Sequence, residues 1–393
     1  MDAQQIVFLL FIIFSGAAVL STVALFTRQS LLVAYMALGI ILGPWCADVV
    51  REPERIAAIG DVGIIFLLFL LGLHLHPQNL WGMLKKVSWI ALVSSLAFGL
   101  LGFVTMLLFK YTIMEAFVTG IAMMFSSTII GLKLLPTTVL HHQHTGELMI
   151  SILLMQDIIA IVALLVLQAC AGSAASDVSA WVDFGIIAIS FPLLIVIAYL
   201  FQRFFLVRLL ERFDTVQEYI FLISVGWCLA MAELAHVMKL SPQIGAFIAG
   251  VAIAAHPISL YIAESLKPLR DFFLVLFFFA IGASFNVGSL MMTAIPAIVL
   301  SVIALVAKPY IFSWLFRQAH ESKAVSFEVG VRMGQISEFS LLVGYVAASS
   351  KLISMEVSSL IQAATMITFV ISCYWVVIKY PTPLALTEKL RKD

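Results

Sequence analysis

Residues 151–160 read SILLMQDIIA and place one carboxylate, Asp157, inside an otherwise apolar run. The helix predicted around it extends from about residue 147 to 171. Asp157 therefore lies at least about 15 Å from either end, at a rise of 1.5 Å per residue. A short Asp side chain does not reach water over that distance, and an ionisable group at membrane depth is costly. Asp157 is the first candidate for a functional residue, and a structural salt bridge is the alternative.

The composition of the whole chain predicts a membrane protein. Of the 393 residues, 63% are hydrophobic and 11% charged, and the mean hydropathy is +1.11. The formal net charge is zero, so nothing indicates a nucleic-acid partner. The four cysteines are scattered and form no CxxC pair, so neither a disulfide framework nor a zinc site is indicated. We expect membrane lipid around the chain and no cofactor.

The apolar runs predict about 13 transmembrane helices, since a bilayer core needs roughly 20 apolar residues per helix. The N-terminal run lacks a basic flank and is too long for a signal peptide, so it counts as the first span. The predicted limits are 4–26, 30–48, 55–75, 87–109, 113–135, 147–171, 182–203, 216–238, 241–256, 260–284, 290–316, 324–348 and 355–378.

The loop charges predict the orientation of these spans. Most Lys and Arg residues fall in loops on one side, which is therefore cytoplasmic. This arrangement predicts a multi-pass protein of the cell (inner) membrane, with its N-terminus outside and its C-terminus in the cytoplasm.

The two halves of the chain resemble each other at an offset of 210 or 211 residues, as in Gly72 and Gly282. We expect one transmembrane transport unit over 1–393, with repeat 1 at about 4–171, a linker helix at about 182–203 and repeat 2 at about 216–378. Seven spans separate equivalent helices, an odd number, so the repeats are inverted in the membrane. Inverted repeats are typical of secondary transporters.

Two further charges lie at membrane depth. Lys308 precedes Pro309 in an apolar run, and pairing with Asp157 is favoured over snorkelling to the membrane surface. Glu338 follows in the twelfth span, which also carries Arg332. Glu338 is either an ion carrier or a residue that holds the helices together.

Polar, helix-breaking sequence occurs at matching places in the two repeats. The fifth span contains Ser126, Ser127 and Thr128, and the twelfth contains Gln335, Ser337 and Glu338. Two broken helices that cross would present carbonyls and helix ends to a cation near Asp157. The alternative is ordinary Ser and Thr bonding to the backbone of intact helices.

Several motifs are similar to those of the monovalent cation:proton antiporter-2 family, and within it to the Kef-type potassium efflux transporters. They are GIILGP at 39–44, FLLGL at 69–73, SST at 126–128, QD at 156–157, GAFIAG at 245–250, Lys308, and GQISEF at 334–339. The order and spacing of these short motifs extend over essentially the whole chain.

The resemblance implies a sodium/proton-antiporter-like fold: a homodimer of 13-helix protomers, each with a dimerisation bundle and a mobile core bundle that includes 113–171 and 324–378. It implies a monovalent cation at Asp157, with Lys308 as its partner, and the core-bundle glutamate at Glu338. From the residues themselves, we expect oxygens of Gln156, Ser127 or Thr128 to assist in binding the cation. Gln-Asp at this place resembles potassium/proton exchangers, whereas Asp-Asp resembles electrogenic sodium antiporters.

The chain departs from the family pattern at two places. His74 stands where the family often has Glu. Kef-type proteins also carry a C-terminal nucleotide-binding domain, whereas this sequence ends about 15 residues after the last span. We therefore expect either a missing regulatory domain or a separate cytoplasmic regulatory protein.

The sequence predicts electroneutral potassium/proton exchange by alternating access. A sodium/proton antiporter is the alternative within the class. A cation channel or a transport-dead membrane sensor is the alternative outside it. An enzyme is not expected, because the sequence contains no HExxH, GxSxG or paired catalytic aspartates.

Overall fold

The structure is a computed structural model that describes residues 3–50, 53–74, 77–133, 144–173, 177–213, 216–238, 240, 242–285 and 287–382. In chain order its helices are α1 (Ala3–Phe26), α2 (Leu31–Leu42), α3 (Pro53–His74), α4 (Pro77–Leu108), α5 (Ile113–Met123), α6 (Thr128–Lys133), α7 (His144–Ser173), α8 (Asp177–Phe201), α9 (Val207–Arg212), α10 (Gln217–Val237), α11 (Pro242–Ala254), α12 (Ile258–Ala283), α13 (Val287–Gln318), α14 (Lys323–Arg332), α15 (Glu338–Ser349) and α16 (Met355–Lys379).

Within these ranges the predicted spans coincide with single helices or, at two places, with a pair of short helices. The pairs are α5 with α6 and α14 with α15. Six described helical stretches are long and apolar enough to cross a membrane by themselves, and five shorter apolar helices accompany them. The predicted all-α, multi-pass membrane fold is confirmed.

Some helix limits differ from the prediction. The second span ends at Leu42 rather than at residue 48, because Gly43 precedes Pro44 and takes an extended ψ of 175°. A residue before proline is disfavoured in the α conformation. The seventh span continues beyond residue 203 through a π-helical segment, Gln202–Leu206, into α9.

The internal repeat recurs in the helix limits with an offset of 210. α4 and α13 begin at Pro77 and Val287 and end at Leu108 and Gln318. α6 and α15 begin at residues 128 and 338. The loops match as well, because Lys110 (φ 63°) and His320 (φ 66°) both adopt the left-handed conformation that often ends a helix.

The chain forms two compact units. One consists of Met1–Arg51, Met83–Leu164 and Ile281–Asp393, and the other of Glu52–Gly82 and Leu165–Ala280. In the second unit α3 packs against α11 at backbone contact: a Cβ at Gly250 would lie 2.1 Å from the Phe69 carbonyl oxygen, and one at Gly72 would lie 2.5 Å from that of Phe247.

The first unit contains both pairs of short helices together with α13, α16 and the part of α7 up to Leu164. Its apolar core includes Leu148, Ile152, Phe312 and Val329. Arg332, which is 1% exposed, donates hydrogen bonds to Glu328 and to the Pro381 carbonyl and so ties the end of α16 to α14. All of the residues singled out as site candidates belong to this unit.

Candidate functional site

Two non-helical segments meet in the middle of the first unit. One lies between Met123 and Thr128, and the other between Arg332 and Glu338. Ser126 Oγ donates to the Met333 carbonyl at 2.8 Å, and Gln335 Nε2 donates to the Ser127 carbonyl at 3.4 Å. A further bond runs from Ser340 Oγ to the Ala122 carbonyl. These contacts between the segments confirm the predicted crossing of two broken helices.

A serine begins the second half of each broken helix. Ser127 Oγ accepts a hydrogen bond from the Ile130 backbone N–H at 3.1 Å, and Ser337 Oγ accepts one from Phe339 N–H at 3.1 Å. Serine is favoured at this place because its oxygen satisfies an N–H that the first helical turn leaves unpaired. Both hydroxyls therefore bind their own helices, and the crossing holds new helix ends at membrane depth.

Lys308 is fully buried beside the crossing, with an exposed fraction of 1%. Its Nζ donates to the Phe125 carbonyl at 2.5 Å, to the Gln335 carbonyl at 3.1 Å and to Ser126 Oγ at 3.4 Å. The ring of Phe98, the residue 210 positions earlier, lies 5.1 Å from the ammonium. One ammonium thus binds backbone oxygens from both broken segments.

Close packing brings Lys308 to this place. A Cβ at Gly330 would lie 2.6 Å from the Pro309 carbonyl oxygen, so α14 approaches α13 at backbone contact. This approach is possible only without a side chain at residue 330, and it sets Lys308 against the break that follows α14.

Asp157 lies on the central part of α7 and is 1% exposed. The Thr128 hydroxyl is 3.2 Å from both carboxylate oxygens. The ion pair expected between Asp157 and Lys308 is not formed between these two described side chains. The carbonyls of the broken segments lie nearer to the ammonium, and they bind it instead.

Gln156 binds the first broken segment through both ends of its amide. Its Oε1 accepts a hydrogen bond from Ser126 N–H at 3.0 Å, and its Nε2 donates to the Met124 carbonyl at 3.4 Å. Gln156 therefore replaces hydrogen bonds that the interrupted helix lacks. Its amide oxygen is directed at the backbone in this structure.

The second broken segment has a matching partner on α16. Thr368 Oγ1 accepts a hydrogen bond from Ile336 N–H at 3.1 Å, and Ile336 lies 210 positions after Ser126. Ser372 Oγ donates to Gln335 Oε1 at 2.9 Å. Sequence reasoning missed Thr368 and Ser372, although Thr365, Thr368 and Ser372 recur at helical spacing in the last predicted span.

Glu338 begins α15 and is 4% exposed. Its carboxylate is close enough to Asp157 for the two to interact electrostatically. The arrangement thus contains two buried carboxylates and one buried ammonium around two broken backbones. If Lys308 and Glu338 keep opposite charges, the charge of Asp157 alone remains to be balanced by a proton or a cation.

Comparisons with known proteins give one family and one fold. The family described as "Sodium/hydrogen exchanger, transmembrane" matches residues 10–379. Two solved structures of the sodium proton antiporter MjNhaP1 from Methanocaldococcus jannaschii are similar to the chain. The one at pH 8 has a TM-score of 0.71 at 14% identity and covers 96% of this chain and 97% of that one. The other, from electron microscopy, has a TM-score of 0.69 at 15% identity and covers 96% of each chain.

Proposed function

The chain belongs to the sodium/hydrogen exchanger family of transmembrane proteins, and we propose that it exchanges one monovalent cation for one proton at Asp157. Cation/proton antiport makes it a secondary transporter and not an enzyme. The finer proposal concerns which residue carries the ions, how many charges move and which cation is used.

The observation that carries the proposal is the environment of the Asp157 carboxylate. It is buried at the crossing, it contacts the Thr128 hydroxyl, and Lys308 does not neutralise it directly. A buried carboxylate needs a compensating charge. A proton or a dehydrated cation supplies that charge, and the two exclude each other. Competition for one carboxylate couples the two ions in opposite directions.

The charges of the neighbouring residues support electroneutral exchange. Gln156 is neutral, so α7 supplies one carboxylate here and not two. Lys308 and Glu338 offset each other when both are ionised. Asp157 then carries either one proton or one cation, and the loaded site has the same net charge in both cases.

Sodium is the first candidate for the cation. The argument for potassium needed the Gln156 amide oxygen as a weak ligand, but that oxygen accepts a hydrogen bond from Ser126 N–H. The family description and the proteins of similar fold name sodium. Potassium remains the second candidate, on the resemblance of Gln156-Asp157 to the potassium-exchanging group.

The proposed cycle is alternating access in the cell membrane. Motion of the bundle that carries the crossing exposes Asp157 to one side and then to the other. The loop charges support an external N-terminus and a cytoplasmic C-terminus. A homodimer and a cytoplasmic regulatory partner are proposed on the family resemblance alone.

Exchange by the purified protein in liposomes tests this proposal. A trapped pH dye would report proton movement after sodium, potassium, lithium or rubidium is added across an imposed pH gradient. We expect sodium to move protons at a rate that membrane potential does not alter, and Asp157→Asn to abolish the movement. Glu264→Gln, which changes an exposed carboxylate, is the matched control and should exchange normally.

Four other results would change the proposal. A response to potassium but not to sodium would make potassium the transported cation in place of sodium. Cation flux without proton movement would indicate a channel, and folded protein that moves no ion would indicate a membrane sensor. Normal exchange by Asp157→Asn would refute the site.

A further inference from the structure

Three exposed arginines, here called the arginine row, lie near the end of the helical stretch that joins the two repeats. Arg203 belongs to the π-helical segment Gln202–Leu206, and Arg208 and Arg212 belong to α9. Arg208 and Arg212 are four residues apart, so they share one face of α9. Arg203 precedes Arg208 by five residues, and in an uninterrupted α-helix that spacing would place it on a different face.

The π-helical turn brings Arg203 into line with the other two arginines. A backbone hydrogen bond runs from Val207 N–H to the Gln202 carbonyl, five residues earlier. A turn closed in this way contains one residue more than an α-helical turn, so residues five apart across it take the places of residues four apart elsewhere. Such turns are rare, and many of them occur at functional sites.

An exposed apolar row runs beside the arginine row. It consists of Phe205, Leu209 and Phe213, which recur every four residues and are 60%, 38% and 40% exposed. A different face of the same stretch packs inward, because Leu206 and Leu210 are 1% and 0% exposed. The stretch is therefore fixed to the protein on one side and presents apolar and basic side chains next to each other on its other sides. Helices that lie at a membrane interface have this pattern.

The charges of the arginine row are not neutralised within the described ranges of the chain, because no ion pair there joins it to a carboxylate. Glu211 is the acid next to the row, and its Oε1 lies 3.2 Å from His256 Nε2 in the loop before α12. Arg203 donates a hydrogen bond to the Tyr199 hydroxyl at 2.9 Å. Since a guanidinium has five N–H donors, Arg203 keeps donors for an anion.

The surroundings of the arginine row indicate which anion it fits. The loop charges predict that this end of the stretch faces the cytoplasm, and the cytoplasmic leaflet carries anionic lipids. Arginine binds phosphate through two parallel hydrogen bonds. A phospholipid would also cover the apolar row with its acyl chains, whereas a soluble anion would leave that row exposed.

We propose that the arginine row binds the phosphate of an anionic phospholipid in the cytoplasmic leaflet, while the acyl chains of that lipid cover the apolar row. The inference goes beyond the proposed exchange, because both rows lie in the second unit and Asp157 lies in the first. A lipid held in this way anchors the stretch between the repeats at the membrane surface.

The thermal stability of the purified protein in detergent tests the proposal. Anionic phosphatidylglycerol, zwitterionic phosphatidylcholine or inorganic phosphate would be added, and the melting temperature measured. A ligand that binds the folded state raises this temperature. We expect phosphatidylglycerol to raise it at a concentration at which the other two have little effect. Equal stabilisation by phosphatidylcholine or by inorganic phosphate would overturn the proposal.

The triple variant Arg203→Gln, Arg208→Gln and Arg212→Gln tests whether the lipid binds at the arginine row. A basic side chain near an anionic membrane surface contributes about fivefold in affinity. We therefore expect the phosphatidylglycerol concentration for half-maximal stabilisation to rise at least about tenfold. Arg208→Gln alone should raise it about fivefold, and this milder variant decides the question if the triple variant does not fold.

A matched control removes the same number of positive charges from other exposed positions. It combines Lys267→Gln, Arg317→Gln and Lys323→Gln, and it should respond to phosphatidylglycerol as the wild type does. Equal loss of the response in both triple variants would indicate an effect of net charge and would refute the site. An unchanged response in the arginine variants, with an altered oligomeric state in light scattering, would make the row a contact between two copies of the chain and would also refute it.

Discussion

At the scale of single residues, the ammonium of Lys308 is bound by oxygens of two interrupted helices and not by the carboxylate of Asp157. The sequence identified both residues as costly charges at membrane depth, which is a property of residue type and position. The predicted pairing with Asp157 is not formed in this structure, because Lys308 binds carbonyls that become available only where the helices break. Sequence patterns do not reveal which backbone oxygens lack a helical partner.

Gln156 offers a residue-scale prediction. Gln156→Leu leaves Ser126 N–H without its acceptor, and we expect a loss of about 1–3 kcal/mol in stability, measured as a lower melting temperature. The ratio of sodium to potassium exchange should stay the same, because both ends of the amide bind the backbone of the first broken segment. Gln318→Leu, at an exposed position, is the control. An altered cation ratio at unchanged stability would restore Gln156 as an ion ligand.

At the scale of helices, the two breaks could be predicted from Ser126, Ser127, Gln335 and Ser337, because polar, capping residues interrupt apolar runs there. The crossing itself needed the structure, since it depends on contacts between segments about 210 residues apart. The ends of α2 and α8 were misplaced. Apolar composition continues beyond both ends, and hydropathy does not detect the effect of Pro44 or of a π-helical segment.

Packing of α3 on α11 gives a prediction for these elements. Gly250→Ala would place a Cβ 2.1 Å from the Phe69 carbonyl oxygen, and overpacking of this kind costs about 1–3 kcal/mol. We expect a clearly lower melting temperature in detergent. Gly226→Ala is the control on α10, because nothing lies within 4 Å of its new Cβ. Alanine stabilises a helix by up to about 1 kcal/mol relative to glycine, so Gly226→Ala should not lower the melting temperature. Equal melting temperatures for the two variants would contradict the close contact.

At the scale of the whole molecule, the two repeats share helix limits but differ in the side chains at equivalent positions. The offset of 210 was visible in a few glycines and serines, and the structure extends it to helix starts, helix ends and loop conformations. The functional asymmetry was not visible in the same way. Lys308 corresponds to Phe98 and Gln362 to Ile152, so the charges and polar groups occur in one copy of each pair. Only an alignment of the halves by structure makes such departures apparent.

Proton release on cation binding tests the central claim most directly, because it measures competition at the site without transport. Sodium would be added to purified protein in a weakly buffered solution at a pH where the site is protonated, and bound sodium and released protons would be counted together. The account predicts about one proton for each sodium ion bound, by reciprocal linkage, and neither binding nor release in Asp157→Asn. Sodium binding without proton release, or unchanged release from Asp157→Asn, would contradict exchange at this carboxylate.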